Sequence, residues 1–266
     1  MLYNQINPKI NIENNNLQTD GICIIKNILS DQELTELLKI SNKKDYKTVK
    51  TKITNNSKIK NALIQKTGKD YMFHDYIFII QKSAIHTCHR DANGTMFNDI
   101  KNPSYTMILY LEDMDRCLGV IPKSHINNDY DINITNQVKD VLCQKGDILL
   151  FDANLIHSGI ISETPDNLRI QMKISHKDDI PVLKYYTNYN KILNESNTMS
   201  KPLQHIQQNL SCMFPIVSNY TQTDVKKTTE YKTTDDIPLH QRIFSYLFYG
   251  SSSYYNLDNA FDDTKI

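Results

Sequence analysis

Cys88-His89-Arg90-Asp91, followed by Asp152-Ala153-Asn154-Leu155-Ile156-His157 and then by Arg169, is the stretch on which the fold turns. Successive side chains on a β-strand point to opposite faces, so His89 and Asp91 share a face and Arg90 takes the other. One ion can draw two ligands from such a segment. The third must come from a distant strand, and His157 stands 157 − 89 = 68 residues on. Two histidines and a carboxylate on one face of iron(II) leave three positions open, the donor set of non-haem iron oxygenases. Arg169 follows His157 by 169 − 157 = 12 residues. Its planar, always-charged guanidinium suits the far carboxylate of a dicarboxylate co-substrate.

The flanks read as β-structure. Lys145-Gly146-Asp147 is a turn signal that leads into the apolar run Ile148-Leu149-Leu150-Phe151. Ile160-Ile161 follow His157, and Glu163-Thr164-Pro165-Asp166-Asn167 reads as a hairpin loop. From Leu168 to Ser175 apolar and polar residues alternate, with Leu168, Ile170, Met172 and Ile174 against Arg169, Gln171, Lys173 and Ser175. The expectation is a hairpin that sets His157 opposite Arg169, with its turn near Glu163. A turn nearer Pro165 would need a bulge.

Four blocks, in order, resemble the phytanoyl-CoA dioxygenase family of iron(II)- and 2-oxoglutarate-dependent oxygenases. They are Asp20 to Asn27 with Leu29-Ser30-Asp31-Gln32-Glu33, then His89-Arg90-Asp91, then Met107 to His125 ending Pro122-Lys123-Ser124-His125, then Gly146 to Arg169. They span about residues 19 to 176, roughly one domain. The resemblance implies a mainly β fold with flanking helices, built on a double-stranded β-helix core, a cupin-like jelly roll. It implies iron(II) on His89, Asp91 and His157, with 2-oxoglutarate and O₂ as co-substrates and ascorbate as accessory reductant. Arg169 would pair with the 5-carboxylate of 2-oxoglutarate, and Ser158, Thr106 and Tyr105 are further candidate contacts. The implied reaction hydroxylates a small molecule and releases succinate and CO₂. Relatives that halogenate carry a small residue in place of the carboxylate, so Asp91 favours oxygen transfer. Two departures stand out: Lys123 replaces the glycine of P-G-S-H, which leaves that loop's backbone open, and Cys117-Leu118 precedes Gly119 where a polar residue is usual.

Composition narrows the setting. The 266 residues carry 30 Lys+Arg against 30 Asp+Glu, so no global charge steers the chain to nucleic acid. Five cysteines, an odd number without a C-x-x-C pair, point to free thiols in a reducing cytoplasm. The start Met1-Leu2-Tyr3-Asn4-Gln5 has no signal-peptide character, and no run reaches the length of a membrane span.

Residues 1–18 are Asn-rich and read as an arm, 19–176 as the oxygenase domain, and 177–266 as a Tyr-rich extension packed on or beside it. Ser30 and Glu33 form a capping box before a helix whose apolar stripe is Leu34, Leu37, Leu38 and Ile40. Residues 39–60 hold eight lysines against the single acid Asp45. They read as a solvated surface, with a phosphate-binding rim for an anionic substrate as the sharper alternative. Pro202 opens a helical pattern of Leu203, Ile206, Leu210 and Met213, and Asp235-Asp236-Ile237-Pro238 opens another; 216–234 read as a loop. The tyrosines of the extension could line a pocket or a homodimer contact, packing being the commoner role.

Other readings stay open at this level. A zinc site through His86, Cys88 and His89 conflicts with strand parity. His125 could stand in for His157, but a hydrogen bond within its loop is preferred. A non-catalytic jelly-roll module, or an oxygenase acting on protein or nucleic acid, would keep the same fold.

Overall fold

The computed structural model describes residues 7–83, 85–91, 100–114, 116–127, 137–161, 167–183, 187–194 and 197–214, together with the helical positions Leu239, Arg242, Ile243, Tyr246 and Leu247. The expected loops at 163–166 and 216–234, and Tyr185, Tyr186, Tyr249, Tyr254 and Tyr255, lie outside the described residues.

Two facing sheets carry the fold. The smaller has four strands in the order β1 (Lys9–Ile10), β7 (Lys139–Val141), β6 (Gly119–Val120), β9 (His157–Ser158). The larger has seven, in the order β11 (Tyr189–Asn194), β4 (Tyr76–Lys82), β10 (Arg169–His176), β5 (Tyr105–Tyr110), β8 (Ile148–Asp152), β2 (Ile22–Ile25), with β3 (Tyr71–Phe73) also on β10. Both are mixed, since β1 runs parallel to β7 and β11 parallel to β4 while the other pairs are antiparallel. His89 joins the small sheet through an antiparallel bridge to His157. The chain thus alternates between sheets. Of the segments from β4 to β10, the large sheet takes β4, β5, β8 and β10, and the small one takes the His89 segment, β6, β7 and β9. The result is a mixed β core with flanking helices, resembling a jelly roll.

Apolar residues build both faces of the large sheet. On the outer face Ile77, Ile79, Met107, Leu109, Leu150, Ile170 and Met172 pack with Leu34, Leu37, Val49, Ile53, Ile59 and Leu63. Those last residues come from three helices: α2 (Asp31–Asn42), α3 (Tyr46–Asn55) and α4 (Ser57–Thr67). The capping box at the start of α2 forms as expected, Ser30 accepting from the Glu33 N–H and Glu33 accepting from the Ser30 N–H at 2.7 Å. On the inner face Ile22, Ile24, Ile108, Tyr110, Leu149 and Phe151 meet Val120 and Val141 of the small sheet.

The helical lysines therefore lie behind the large sheet. Lys50 pairs with Asp75, Lys52 with Glu36 and Lys58 with Glu33. Sequence-distant acids do the pairing, which a window of 39–60 could not reveal. The arm is docked from residue 7 onward. Ile12 and Leu17 are buried, the latter in α1 (Leu17–Asp20), and Asn7 donates to Asp140 and to Gln208 at 3.0 and 3.1 Å.

Two local readings change. His157 and Arg169 do not sit on a hairpin: β9 pairs with β6, whereas β10 pairs with β3, β4 and β5 in the other sheet. Alternating strands flanking a turn look alike whether they pair or cross between sheets, and here β9 ends after two residues. The helix opened by Pro202, α5 (Lys201–Met213), forms, but it buries Gln204, Gln208, Ser211 and Cys212 while Leu203 and Leu210 are exposed. Polar bonding explains the choice: Gln208 donates to the Ser158 hydroxyl at 2.9 Å, and Ser211 Oγ accepts from the Cys88 N–H at 2.7 Å. Lys123 adopts the left-handed backbone, φ 66°, that a glycine would take in its loop.

Candidate metal centre

His89, Asp91 and His157 each offer a ligand atom, and these atoms lie within 4.8 Å of one another. Main-chain bonds set the segments that carry them. His89 N donates to His157 O at 2.8 Å, His157 N donates to His89 O at 2.9 Å, and Asp91 N donates to Ala153 O at 2.9 Å. Asp91 Oδ1 lies 3.5 Å from His157 Nε2 and 4.0 Å from His89 Nε2. Arg90 takes the opposite face, as parity requires, and donates to the carbonyls of Ser124 and Asn154.

The donor chemistry fits a divalent transition metal. Each imidazole Nδ1 meets a main-chain carbonyl, His89 with Thr87 O at 3.0 Å and His157 with Leu155 O at 2.9 Å. A carbonyl only accepts, so Nδ1 keeps the proton and Nε2 turns its lone pair inward. Burial, and then the neighbouring His157, push the His89 imidazole down to about 3, which holds it neutral. Burial would raise the Asp91 carboxyl, but Lys173 and the two histidines outweigh it and hold it well below the ordinary carboxylate range. Two imidazole Nε2 atoms and one anionic oxygen thus converge.

The large sheet faces this set with cations. Lys173, buried on β10, bonds Asp91 Oδ2, and its Nζ lies 2.7 Å from Thr106 Oγ1. Thr106 on β5 donates to the same Asp91 oxygen. Arg169 and Gln171 share the face of β10 that carries Lys173, while Leu168, Ile170, Met172 and Ile174 turn to the helices. Arg169 is buried, with one N–H on Asn167 O at 3.0 Å. It stands four residues from Lys173, about 13 Å along the strand. Gln171 approaches the Tyr76 hydroxyl at 3.5 Å, and Tyr76 stacks on Phe78 and Tyr189 with centroids 4.8 and 5.5 Å away. Phe151 closes the other side, its ring 4.7 Å from that of His157.

Thr106 therefore reaches the site through Asp91. Tyr105 and Ser158 point away from it. Tyr105 lies on the helix face of β5 beside Tyr71, ring centroids 5.3 Å apart, because neighbours on a strand cannot share a face. Ser158, next to His157, turns outward to Gln208 for the same reason. His125 binds Gln18 O of α1 at 3.0 Å, so its partner lies in the N-terminal helix and not within its own loop as the sequence suggests. His86 is held by Gln207 at 2.6 Å and Asn197 at 2.9 Å, and among the described residues it joins no group of metal-binding side chains. Lys173 was not anticipated. Its place in the polar row of an alternating strand was visible, but such rows ordinarily face water.

No family model matches the sequence, and no curated protein matches it. Solved structures do share the fold. AviO1 from Streptomyces viridochromogenes Tue57 aligns at a TM-score of 0.50 with 13% identity, over 64% of this chain and 96% of its own. SnoN, the non-heme alpha ketoglutarate dependent epimerase from nogalamycin biosynthesis, aligns at 0.50 with 14% identity, over 60% and 79%. EvdMO1 aligns at 0.50 with 12% identity, over 62% and 49%. Fold and donor set together agree with the resemblance read from the four sequence blocks.

Proposed function

We propose that this chain is a non-haem iron(II)- and 2-oxoglutarate-dependent dioxygenase that hydroxylates a small molecule. The observation that carries the reading is the His89–Asp91–His157 set, both histidines buried with Nδ1 on a main-chain carbonyl, and one Asp91 oxygen turned to meet the two Nε2 atoms. Iron(II) held there, with 2-oxoglutarate and O₂, supplies oxidative decarboxylation to succinate and CO₂ coupled to oxidation of a C–H bond. His89 and His157 would give neutral nitrogen and Asp91 the single anionic oxygen, which leaves three positions on an octahedral ion. Arg169 would hold the far carboxylate of 2-oxoglutarate, supported by its burial on the face of β10 that carries Lys173. A shared fold with an alpha ketoglutarate dependent epimerase supports the choice of co-substrate; the donor set carries more weight than the likeness.

The finer features follow from the same reading. We take the interleaved sheets to be a double-stranded β-helix, residues 19–176 to be the oxygenase domain, 1–18 its arm and 177–266 its extension. A small-molecule substrate is favoured by the aromatic group Tyr76, Phe78 and Tyr189 on the site-facing side and by the zero net charge. All five cysteines are buried and unpaired in disulfides, which suits a reducing cytoplasm. Among the described residues no helix is long and apolar enough to cross a membrane.

The test is anaerobic addition of iron(II) and 2-oxoglutarate. A weak visible charge-transfer band should appear and be absent in His89→Ala and Asp91→Ala. A wild-type chain that binds zinc tightly yet shows no band with iron would refute the assignment.

A further inference from the structure

We infer that Lys173 is a positioning residue that restricts Asp91 to one metal-binding oxygen and so preserves the open positions a chelating co-substrate needs. The inference rests on the proposed metal centre and adds a role for a residue outside the donor set.

Asp91 is held asymmetrically. Its Oδ1 faces the two imidazoles at 3.5 and 4.0 Å. Its Oδ2 is bound from the opposite sheet by Lys173 and Thr106. Lys173 Nζ also lies 2.7 Å from Thr106 Oγ1, so the three groups close a triangle around Oδ2. Main-chain bonding of Asp91 N to Ala153 O fixes the root of the side chain but leaves its carboxylate free to rotate. The direction of the carboxylate therefore depends on what binds Oδ2.

Lys173 is a costly choice for that place. A lysine desolvated this far is unfavourable unless its charge is met. Among the described residues Asp91 is the carboxylate that meets it. Packing does not require the ammonium, since Leu168, Ile170, Met172 and Ile174 supply the apolar face of the same strand. Thr106 alone could donate one hydrogen bond to Oδ2, and a neutral hydroxyl holds a carboxylate less firmly than an ammonium. With Lys173 removed, a small rotation about the Cβ–Cγ bond brings Oδ2 toward the ion as well. A carboxylate bound through both oxygens takes one of the three remaining positions, and a two-point chelator then competes with it.

Cobalt(II) separates this role from others, because its visible d–d bands report coordination number without turnover. Full-length wild type, Lys173→Met and Lys173→Gln are titrated anaerobically with cobalt(II), then with 2-oxoglutarate, and folding is checked by thermal melts. In Lys173→Met, cobalt affinity should stay within about threefold of wild type or tighten. Its d–d spectrum should change before co-substrate is added, and 2-oxoglutarate affinity should fall about tenfold or more, the scale of one charge-assisted bond. Lys173→Gln keeps a donor for Oδ2 and should retain most of the wild-type spectrum, which also guards against a Met variant that fails to fold. Weaker 2-oxoglutarate binding with an unchanged cobalt spectrum would overturn the inference and make Lys173 a direct co-substrate contact. Wild-type spectrum and affinities in Lys173→Met would overturn it alone, leaving the metal centre intact. A wild type that takes up no cobalt would overturn the functional reading and this inference together.

Discussion

Gly159 tests whether the contact between β9 and the segment before His89 sets the metal centre. A Cβ at position 159 would fall far inside van der Waals contact with the Ile85 carbonyl oxygen and 3.1 Å from its carbon. Both obstacles are backbone, so no side chain can swing aside. For Gly159→Ala the two backbones must part by about 1.5 Å to reach ordinary contact. They are the ones joined by the reciprocal His89–His157 bonds of 2.8 and 2.9 Å, and they carry both histidines. Metal sites tolerate about 0.2 Å in ligand position, so the parting is several times too large. Overpacking of this kind costs about 1–3 kcal/mol of stability, or a fall in Tm of roughly 2–12 °C for a chain of this size. Loss of one nitrogen from the set should weaken cobalt(II) by about 100-fold or more, beyond what a displaced supporting group usually costs. Thermal melts with and without cobalt, and competition against a chelator, give both numbers. A variant that keeps wild-type Tm and cobalt affinity would show that the bridge does not position the ligands.

Arg169→Ala should weaken 2-oxoglutarate by about 30- to 1000-fold, the equivalent of roughly 2–4 kcal/mol for a buried bidentate pair, and leave cobalt affinity nearly unchanged; unchanged 2-oxoglutarate affinity would assign the far carboxylate to another residue. Ser30→Ala removes one half of the α2 capping box and should cost about 1 kcal/mol in urea melts without altering metal binding. His74 predicts a pH effect: burial, and then Lys173, push its imidazole down to about 4 from an unfolded value of 6.5. The unfolded chain therefore takes up a proton first as pH falls, so the stability His74 contributes is whole above 6.5 and is lost between 6.5 and 4, by about 2 kcal/mol at pH 5. Replacing it in His74→Gln should flatten the fall in Tm between pH 7 and 5, and an equal fall in both proteins would contradict the assignment.

The parts legible in the sequence are those that depend on local geometry. Strand parity alone placed His89 and Asp91 together with Arg90 opposite, and the capping box marked the start of α2. Parity also held an unused lesson, since Tyr105 and Thr106 are adjacent and only one could face the site. What escaped is nonlocal. Whether the strand after His157 pairs with the strand of Arg169 depends on how the chain winds between sheets, and alternation of apolar residues is silent on that. Burial of Gln208 and Ser211 rather than Leu203 and Leu210 follows from hydrogen bonds to Ser158 and Cys88, more than a hundred residues away for Ser211. Hydrophobic periodicity favours the wrong face in such a helix, because it counts transfer from water and ignores a buried partner.

The division of the centre between two sheets has a physical consequence. His89 and His157 belong to the small sheet, joined to each other by main-chain bonds, whereas the groups that orient Asp91 come from β5 and β10 of the large one. The orientation of Asp91 is thus set only when the two sheets are packed through Phe151, Ile108, Val120 and Val141. An unfolded or half-packed chain presents three scattered ligands and an unpaired lysine, so the affinity of the assembled centre is in large part folding free energy. The buried Lys173–Asp91 pair is poor as a source of stability, since desolvation offsets most of its attraction. Its value lies in direction: it ties the one anionic ligand to the sheet that carries Arg169, so that the ion and the candidate anchor for the co-substrate's far end share a single rigid frame.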